Sequence, residues 1–130
     1  MVNKQESTLK GNLMTHLRAM KGYLPIRHED VSTSGIPDIS ITGYNFTSWL
    51  EVKHATPSFK SPGIQELMCL RLAAAGHCRY LIYYEKGAIK RTLIIHPKHL
   101  KDLQPEAFCI GFDHEFVVDY IRQIHEHGKR

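Results

Sequence analysis

Asp38, Glu51 and Lys53 combine two carboxylates and an ammonium group that are close enough in the sequence to form one reactive site. Asp38 follows a proline, and Glu51 and Lys53 flank Val52 in a short triplet. Because successive side chains of a strand alternate, Glu51 and Lys53 are expected to share one face while Val52 points into the core. Two carboxylates supply the hard oxygen ligands that suit Mg²⁺ or Mn²⁺, and an adjacent lysine can orient or deprotonate a water bound to the metal.

A β-hairpin is expected to bring the two carboxylates together. Residues 39–42 alternate isoleucine with serine and threonine, as a half-buried strand would. Residues 43–45 (Gly-Tyr-Asn) supply turn chemistry, and residues 46–52 are rich in β-prone side chains. Pairing the two strands about this turn places Asp38, at the start of the first, beside Glu51 on the second.

Hydrophobic periodicity and turn residues predict the remaining elements. The pattern indicates a single α/β domain over residues 1–130, with a mixed sheet flanked by helices on both faces. The tail from Pro105 is expected to form a separate unit that ends in a helix capped by Asp113. The other expected elements are a helix over 3–21, a short strand over 23–27, a largely buried helix over 61–75, and strands over 79–84 and 91–96 joined by a turn at 85–88.

The composition is that of an ordinary globular protein. The chain has 130 residues, 42% of them hydrophobic and 23% charged, without an apolar run long enough to span a membrane or act as a secretion signal. Three cysteines without regular spacing favour a reducing cytoplasm over a disulfide framework or zinc ribbon. A net charge of +4 favours phosphate-rich partners, and the nine scattered histidines are expected mainly at the surface or on phosphates.

Three further features surround the expected site. On a helical wheel Glu6 falls inside an apolar stripe, where a carboxylate is costly unless a charge or a metal meets it. The alternative is that Glu6 caps the helix together with Asn3. The loop 28–34 is expected near the site and on a nucleic-acid backbone, or as a plain surface connection. The loop 54–63, with Lys60 and two prolines, could grip phosphate.

Pro37-Asp38, followed after twelve residues by Glu51-x-Lys53, resembles the PD…(D/E)xK nuclease superfamily. The details are most similar to its virus-type replication-repair nuclease (VRR-Nuc) branch, and the resemblance covers roughly residues 6–84. Four other features support it, namely Glu6 early in the first helix, Arg27 before the motif, the form Gly35-x-Pro37-Asp38, and Gln65 at the start of the next helix.

The resemblance implies a restriction-endonuclease-like αβββαβ core, followed here by a C-terminal helix. It implies that Asp38, Glu51 and the backbone carbonyl of Val52 hold Mg²⁺ or Mn²⁺, and that Glu6 contributes through water or to a second metal. Lys53 would position the attacking water, and Gln65 would orient that water or a ligand. The loop after Lys53 is not glycine-rich, so its grip on substrate is expected to differ from the family's. The residues expected to contact nucleic acid are Arg27, His28, Ser34, His54 and Lys60.

The function that follows is a metal-dependent DNA endonuclease specific for branched structures such as four-way junctions, working as a homodimer without a nucleotide cofactor or a membrane. The interface could use the apolar faces of residues 64–75 and 115–127, although both could simply pack on the sheet. Two alternatives stay open. The chain could be a non-catalytic nucleic-acid-binding module on the same fold, or a restriction-like or general DNA-end endonuclease.

Overall fold

In the part of the chain that the structure describes, the protein is built on one six-stranded sheet with three α-helices. The computed structural model describes residues 4–28, 35–58 and 63–127. The elements in chain order are α1 (Lys4–Arg18), β1 (Leu24–Arg27), β2 (Ile39–Gly43), β3 (Phe46–Ala55), α2 (Gly63–Ala75), β4 (His77–Lys86), β5 (Ile89–Ile95), a 3₁₀ turn (Pro97–His99), β6 (Ala107–Ile110) and α3 (His114–Glu126).

The six strands lie in the sheet in their chain order, β1 to β6. Neighbouring strands are antiparallel except β3 and β4, which are parallel because α2 crosses between them. Helices α1 and α3 pack on one face and α2 on the other, so the sheet has two separate hydrophobic cores. The expected mixed α/β architecture with helices on both faces is confirmed, and the first six elements follow the order αβββαβ.

The β2–β3 hairpin has the tight turn that the sequence predicts. Tyr44 and Asn45 have φ values of 56° and 59°, the left-handed conformation that matches the twist of a two-residue hairpin. This turn sets the register, in which Gly43 lies opposite Phe46 and Ile39 lies opposite Leu50. Asp38 comes one residue before Ile39 and Glu51 comes one residue after Leu50, so this register places Asp38 beside Glu51.

The chain after Pro105 is not a separate unit, as the sequence analysis expected. Strand β6 pairs with β5 and extends the same sheet. Helix α3 buries Val117 and Ile121 in the core that α1 also covers. The four residues of β6 alternate between half-buried and exposed positions, a pattern too short to stand out in the sequence. The predicted N-cap is confirmed, because the Asp113 carboxylate accepts a hydrogen bond from the Phe116 amide.

Two other expectations are corrected by burial. Helix α2 is not largely buried, because Leu67 is 57% exposed and Arg71 is also exposed. Its buried contact with the sheet centres on Cys69. His77 and His125 lie in the interior instead of at the surface. In the part of the chain that is described, no helix is both long and apolar enough to cross a bilayer.

His125 shows how an interior histidine is held. Its Nδ1 lies 2.9 Å from the carbonyl oxygen of Gly43, so this nitrogen carries the proton and donates. Its Nε2 lies 2.8 Å from the Ser48 hydroxyl and accepts from it. Helix α3 is therefore tied to both strands of the β2–β3 hairpin through one imidazole ring.

We expect His125→Phe to lower the free energy of unfolding by about 1–3 kcal/mol, because the buried Ser48 hydroxyl and Gly43 carbonyl lose these partners. Urea denaturation followed by circular dichroism measures the loss. His127→Phe, at the exposed end of the same helix, is the control and should change stability by less than about 0.5 kcal/mol. Equal stability of the two variants would contradict a structural role for His125.

Candidate functional site

Asp38 and Glu51 hold each other through backbone amides. The Asp38 amide donates to Glu51 Oε1 at 3.1 Å, and the Val52 amide donates to Asp38 Oδ2 at 2.9 Å. The hairpin register makes this exchange possible, because it places the start of β2 beside the middle of β3. The sequence therefore located this carboxylate pair correctly. The contact of Asp38 is with the amide of Val52, and a role for the Val52 carbonyl stays a prediction.

The Glu51 side chain is fully buried. Burial, followed in importance by the negative charge of Asp38, raises the pKa of Glu51 to about 7, while Lys53 opposes the rise. Lys53 Nζ lies 3.2 Å from Glu51 Oε2, on the shared strand face that alternation predicts. Beyond this ion pair, no described residue makes a hydrogen bond of good geometry to Oε2. The site thus contains a buried carboxylate oxygen that is not fully satisfied.

Lys10 is a site residue that the sequence analysis missed. From α1 its Nζ lies 3.2 Å from Asp38 Oδ1, and both side chains are largely buried. Each carboxylate of the pair therefore has its own ammonium partner, Lys10 for Asp38 and Lys53 for Glu51. The signal that could have found Lys10 is its position four residues after Glu6, since residues at this spacing lie on the same side of a helix.

Glu6 does point toward the sheet. Its Oε2 accepts a hydrogen bond from the His54 amide at 3.2 Å, which ties α1 to the end of β3. The His54 ring is mostly buried and lies 3.0 Å from Glu85 Oε1, with its edge toward Phe112. Asn3, the expected capping partner of Glu6, lies outside the described residues.

Arg27 and His28, two of the expected nucleic-acid contacts, are engaged within the protein. Arg27 donates to the Ser7 hydroxyl of α1 at 3.2 Å. The His28 ring lies 2.8 Å from the Ser40 hydroxyl and stacks on Trp49 with ring centroids 5.2 Å apart. The His28 amide donates to the Asp38 carbonyl at 2.7 Å. The contact of the His28 amide fixes the backbone at Asp38. A contact of Arg27 and His28 with nucleic acid stays a prediction.

Three expected site residues cannot be placed. Ser34 and Lys60 lie outside the described residues, and so does the side chain of Gln65, although its backbone belongs to the first turn of α2. The helix begins shortly after the loop that follows β3, on the side of the sheet that Glu51 and Lys53 face. This position agrees with the expected order of elements, and the role of Gln65 stays a prediction.

The donor set fits a hard divalent cation. Within residues 4–28, 35–58 and 63–127, no group of three or more His, Cys, Asp and Glu side chains forms a metal centre. Asp38 and Glu51 alone supply two carboxylates, which is the number that Mg²⁺ commonly takes from a protein when water and substrate phosphate complete its shell. The buried, hydrogen-bond-free Oε2 of Glu51 is the atom that a cation would satisfy best.

Comparison of the chain with protein-family models and with curated proteins found no match.

In buffer containing EDTA, we expect raising the pH from about 5 to about 8 to destabilise the wild type relative to Glu51→Gln. The folded-state pKa of Glu51, about 7, lies above its ordinary value of 4.5. Its contribution to stability is therefore complete below pH 4.5 and is lost as the pH rises through 7. The relative loss should be on the order of 1–3 kcal/mol, measured by urea denaturation at each pH.

The control for this titration is Asp102→Asn, which neutralises an exposed carboxylate. It should follow the pH dependence of the wild type. Parallel pH profiles for wild type and Glu51→Gln would show that Glu51 ionises as easily in the folded chain as in the unfolded one.

Proposed function

We propose that the protein is a Mg²⁺- or Mn²⁺-dependent endonuclease that hydrolyses phosphodiester bonds in DNA. The observation that carries the proposal is the buried Asp38–Glu51 pair with one lysine on each carboxylate. A solvated acidic surface would leave both carboxylates in water. Burying a carboxylate is costly, and a cation held between these two side chains would offset that cost.

When bound, the metal would lower the pKa of a coordinated water and stabilise charge on the scissile phosphate. Asp38 and Glu51 are the side chains that would hold it. The Lys53 ammonium lies beside Glu51 Oε2, where it can orient a water for attack. Its positive charge also favours the ionised form of Glu51. Lys10 keeps the Asp38 carboxylate in place from the opposite side, on helix α1.

The fold and the charge support this proposal. The element order αβββαβ and the site at the β2–β3 hairpin are what the resemblance to the VRR-Nuc branch of the PD…(D/E)xK nucleases implies. A net charge of +4 favours a phosphate-rich partner. Each of the two site carboxylates is paired with a lysine, so the rest of the chain keeps this net charge of +4.

Branched DNA and a homodimer belong to the same proposal. One chain of this size offers one active site, whereas resolving a four-way junction needs two cuts on opposed strands. A twofold dimer would match the symmetry of that substrate. The exposed side of α2, where Leu67 is 57% exposed, is candidate interface surface. On α3 the apolar residues Val117 and Ile121 already pack on the sheet, which leaves less of that face for a partner.

A second candidate function is a non-catalytic nucleic-acid-binding module. The observation that favours it is the same pair of ammonium groups, because Lys10 and Lys53 already compensate both carboxylates without any metal. A purely structural charge cluster would have this arrangement. Cleavage and binding assays separate the two functions.

We expect Asp38→Asn and Glu51→Gln each to slow cleavage at least about a hundredfold, since each removes a charged ligand of the metal. The assay incubates labelled four-way-junction, flap, fork and linear DNA with each variant in Mg²⁺ or Mn²⁺. EDTA should stop the wild type. Circular dichroism checks folding, and Asp102→Asn is the control. Full cleavage by either variant would falsify the site, and metal-independent binding without cleavage by the wild type would favour the non-catalytic module.

Lys10→Met should lower the Mn²⁺ concentration that gives half-maximal cleavage, because the Lys10 ammonium competes with the metal for Asp38 Oδ1. A few-fold decrease is expected, on the order of the effect of one partly buried charge. Lys4→Met, at the exposed start of the same helix, is the control and should leave the metal requirement unchanged. A higher Mn²⁺ requirement in Lys10→Met would mean that Lys10 helps to assemble the metal site.

A further inference from the structure

Two adjoining clefts lie at the β6 end of the sheet, away from the carboxylate pair. The first is largely apolar and has a volume of about 410 Å³, within the range of ligand-binding cavities. Two aromatic rings and a guanidinium line it together with three aliphatic side chains, and its lining residues are Tyr84, Arg91, Leu93, Leu103, Pro105 and Phe108. Phe108 is 56% exposed, so much of its ring is available to a ligand.

The second cleft is polar, with a volume of about 370 Å³, and shares Pro105 with the first. Its lining includes the exposed Lys98 and His99, part of the basic connection that leads from β5 toward β6. Its one acidic lining residue, Glu106, is already paired. Arg79 Nε lies 2.6 Å from one Glu106 oxygen, and the Tyr120 hydroxyl donates to the other at 2.6 Å. The negative charge of Glu106 is therefore largely compensated, and the ammonium-bearing side chain of Lys98 is exposed to solvent.

An apolar aromatic cleft beside a cationic one matches the two halves of a nucleotide unit. A nucleobase stacks on aromatic rings and on a guanidinium plane, whatever its identity, and a phosphate is held by lysine. The base must be unpaired to enter, because stacking on a side chain needs an accessible face of the base. An unpaired nucleotide within a single strand is therefore the occupant that the two clefts fit together.

The clefts also lie on the same side of the sheet as the carboxylate pair. Phe108 lies opposite Leu93, Leu93 opposite Ile82, and Ile82 opposite Lys53. Directly paired residues point to one face, so Phe108 faces the same way as Lys53 and Glu51. Three strand spacings separate Lys53 on β3 from Phe108 on β6, a distance of about 14 Å across the sheet.

We propose that the joined clefts bind an unpaired segment of single-stranded DNA, with a base on Phe108 and its phosphate on Lys98. Arg91 borders the base, and Tyr84 forms the opposite part of the lining. The proposal rests on the proposed function for the choice of DNA as ligand. The unpaired part of a branched substrate would then bind at the joined clefts, and cleavage would take place separately at Asp38 and Glu51.

The test measures binding by fluorescence anisotropy in EDTA, so that no cleavage occurs. One labelled probe is a ten-nucleotide thymidine strand, and the other is an abasic strand of equal length with the same phosphates. The wild type should bind the thymidine strand at least about fivefold more tightly, the smaller end of what stacking one base contributes. Phe108→Ala should lose this preference. Ile89→Ala, a control with similar exposure outside both linings, should retain it.

Lys98→Ala completes the test. It should weaken binding of both strands and reduce the slope of log affinity against log salt by about one, as the loss of one phosphate contact does. Equal binding of the two probes by the wild type, or an unchanged preference in Phe108→Ala, would overturn the proposal. So would light scattering that shows a dimer lost in Phe108→Ala without any change in strand binding. If the protein binds the thymidine strand but cuts no DNA, the nuclease function is wrong and the proposed strand-binding clefts are supported.

Discussion

A carboxylate buried without enough hydrogen-bond donors is the constraint on which the rest of the site depends. Glu51 lies in the middle of β3 with no exposure to solvent, and among the residues that the structure describes Lys53 is the one that meets its second oxygen. Asp38 brings another negative charge to its side. The two residues are held there by reciprocal contacts with the Asp38 and Val52 amides. The backbone amides thus fix the positions of the two carboxylates, and the negative charges of Asp38 and Glu51 need cations to compensate them.

The fold places this pair where both faces of the sheet are covered. Strand β3 lies inside the sheet between antiparallel β2 and parallel β4, so its alternate side chains enter two different cores. Val52 packs under α1 and α3, and Glu51 and Lys53 face the side that α2 covers. Lys10 reaches Asp38 from α1 at the sheet edge. Asp38 is therefore held by Lys10 from α1 and by Glu51 and Val52 from β3. These contacts explain why a site can form at the start of a short strand.

The sequence was sufficient for the hairpin and its carboxylate pair because local rules fix both. A two-residue left-handed turn at Tyr44 and Asn45 determines the register, and strand alternation then places Glu51 with Lys53. The same rules failed for β6, where four residues carry too little pattern to indicate a strand. They failed also for α2, because its apolar residues lie on more than one side of the helix and the sequence does not show that the side with Leu67 is exposed.

Contacts between distant parts of the chain were beyond what periodicity can predict. His125 is held in the interior because the Ser48 hydroxyl donates to its ring and the Gly43 carbonyl accepts from it, and both residues lie far away in the sequence. Lys10 belongs to the site because α1 packs across β1 and β3, which brings it to the start of β2. Arg27 and His28, for which the sequence predicts contacts with nucleic acid, also contact Ser7, Ser40 and Trp49 within the protein, and their contact with nucleic acid stays a prediction. In each case a polar side chain found a partner that only the folded topology brings close.

The measurement that tests the carboxylate site most directly is calorimetric titration of Mn²⁺ into the protein in buffers of different ionisation enthalpy. Because the pKa of buried Glu51 is raised to about 7, metal binding near pH 6 should release about one proton, and the release should fade above about pH 8. Glu51→Gln should neither bind tightly nor release this proton. Mn²⁺ binding without proton release at any pH, or equal binding by Glu51→Gln, would contradict a metal site at Asp38 and Glu51.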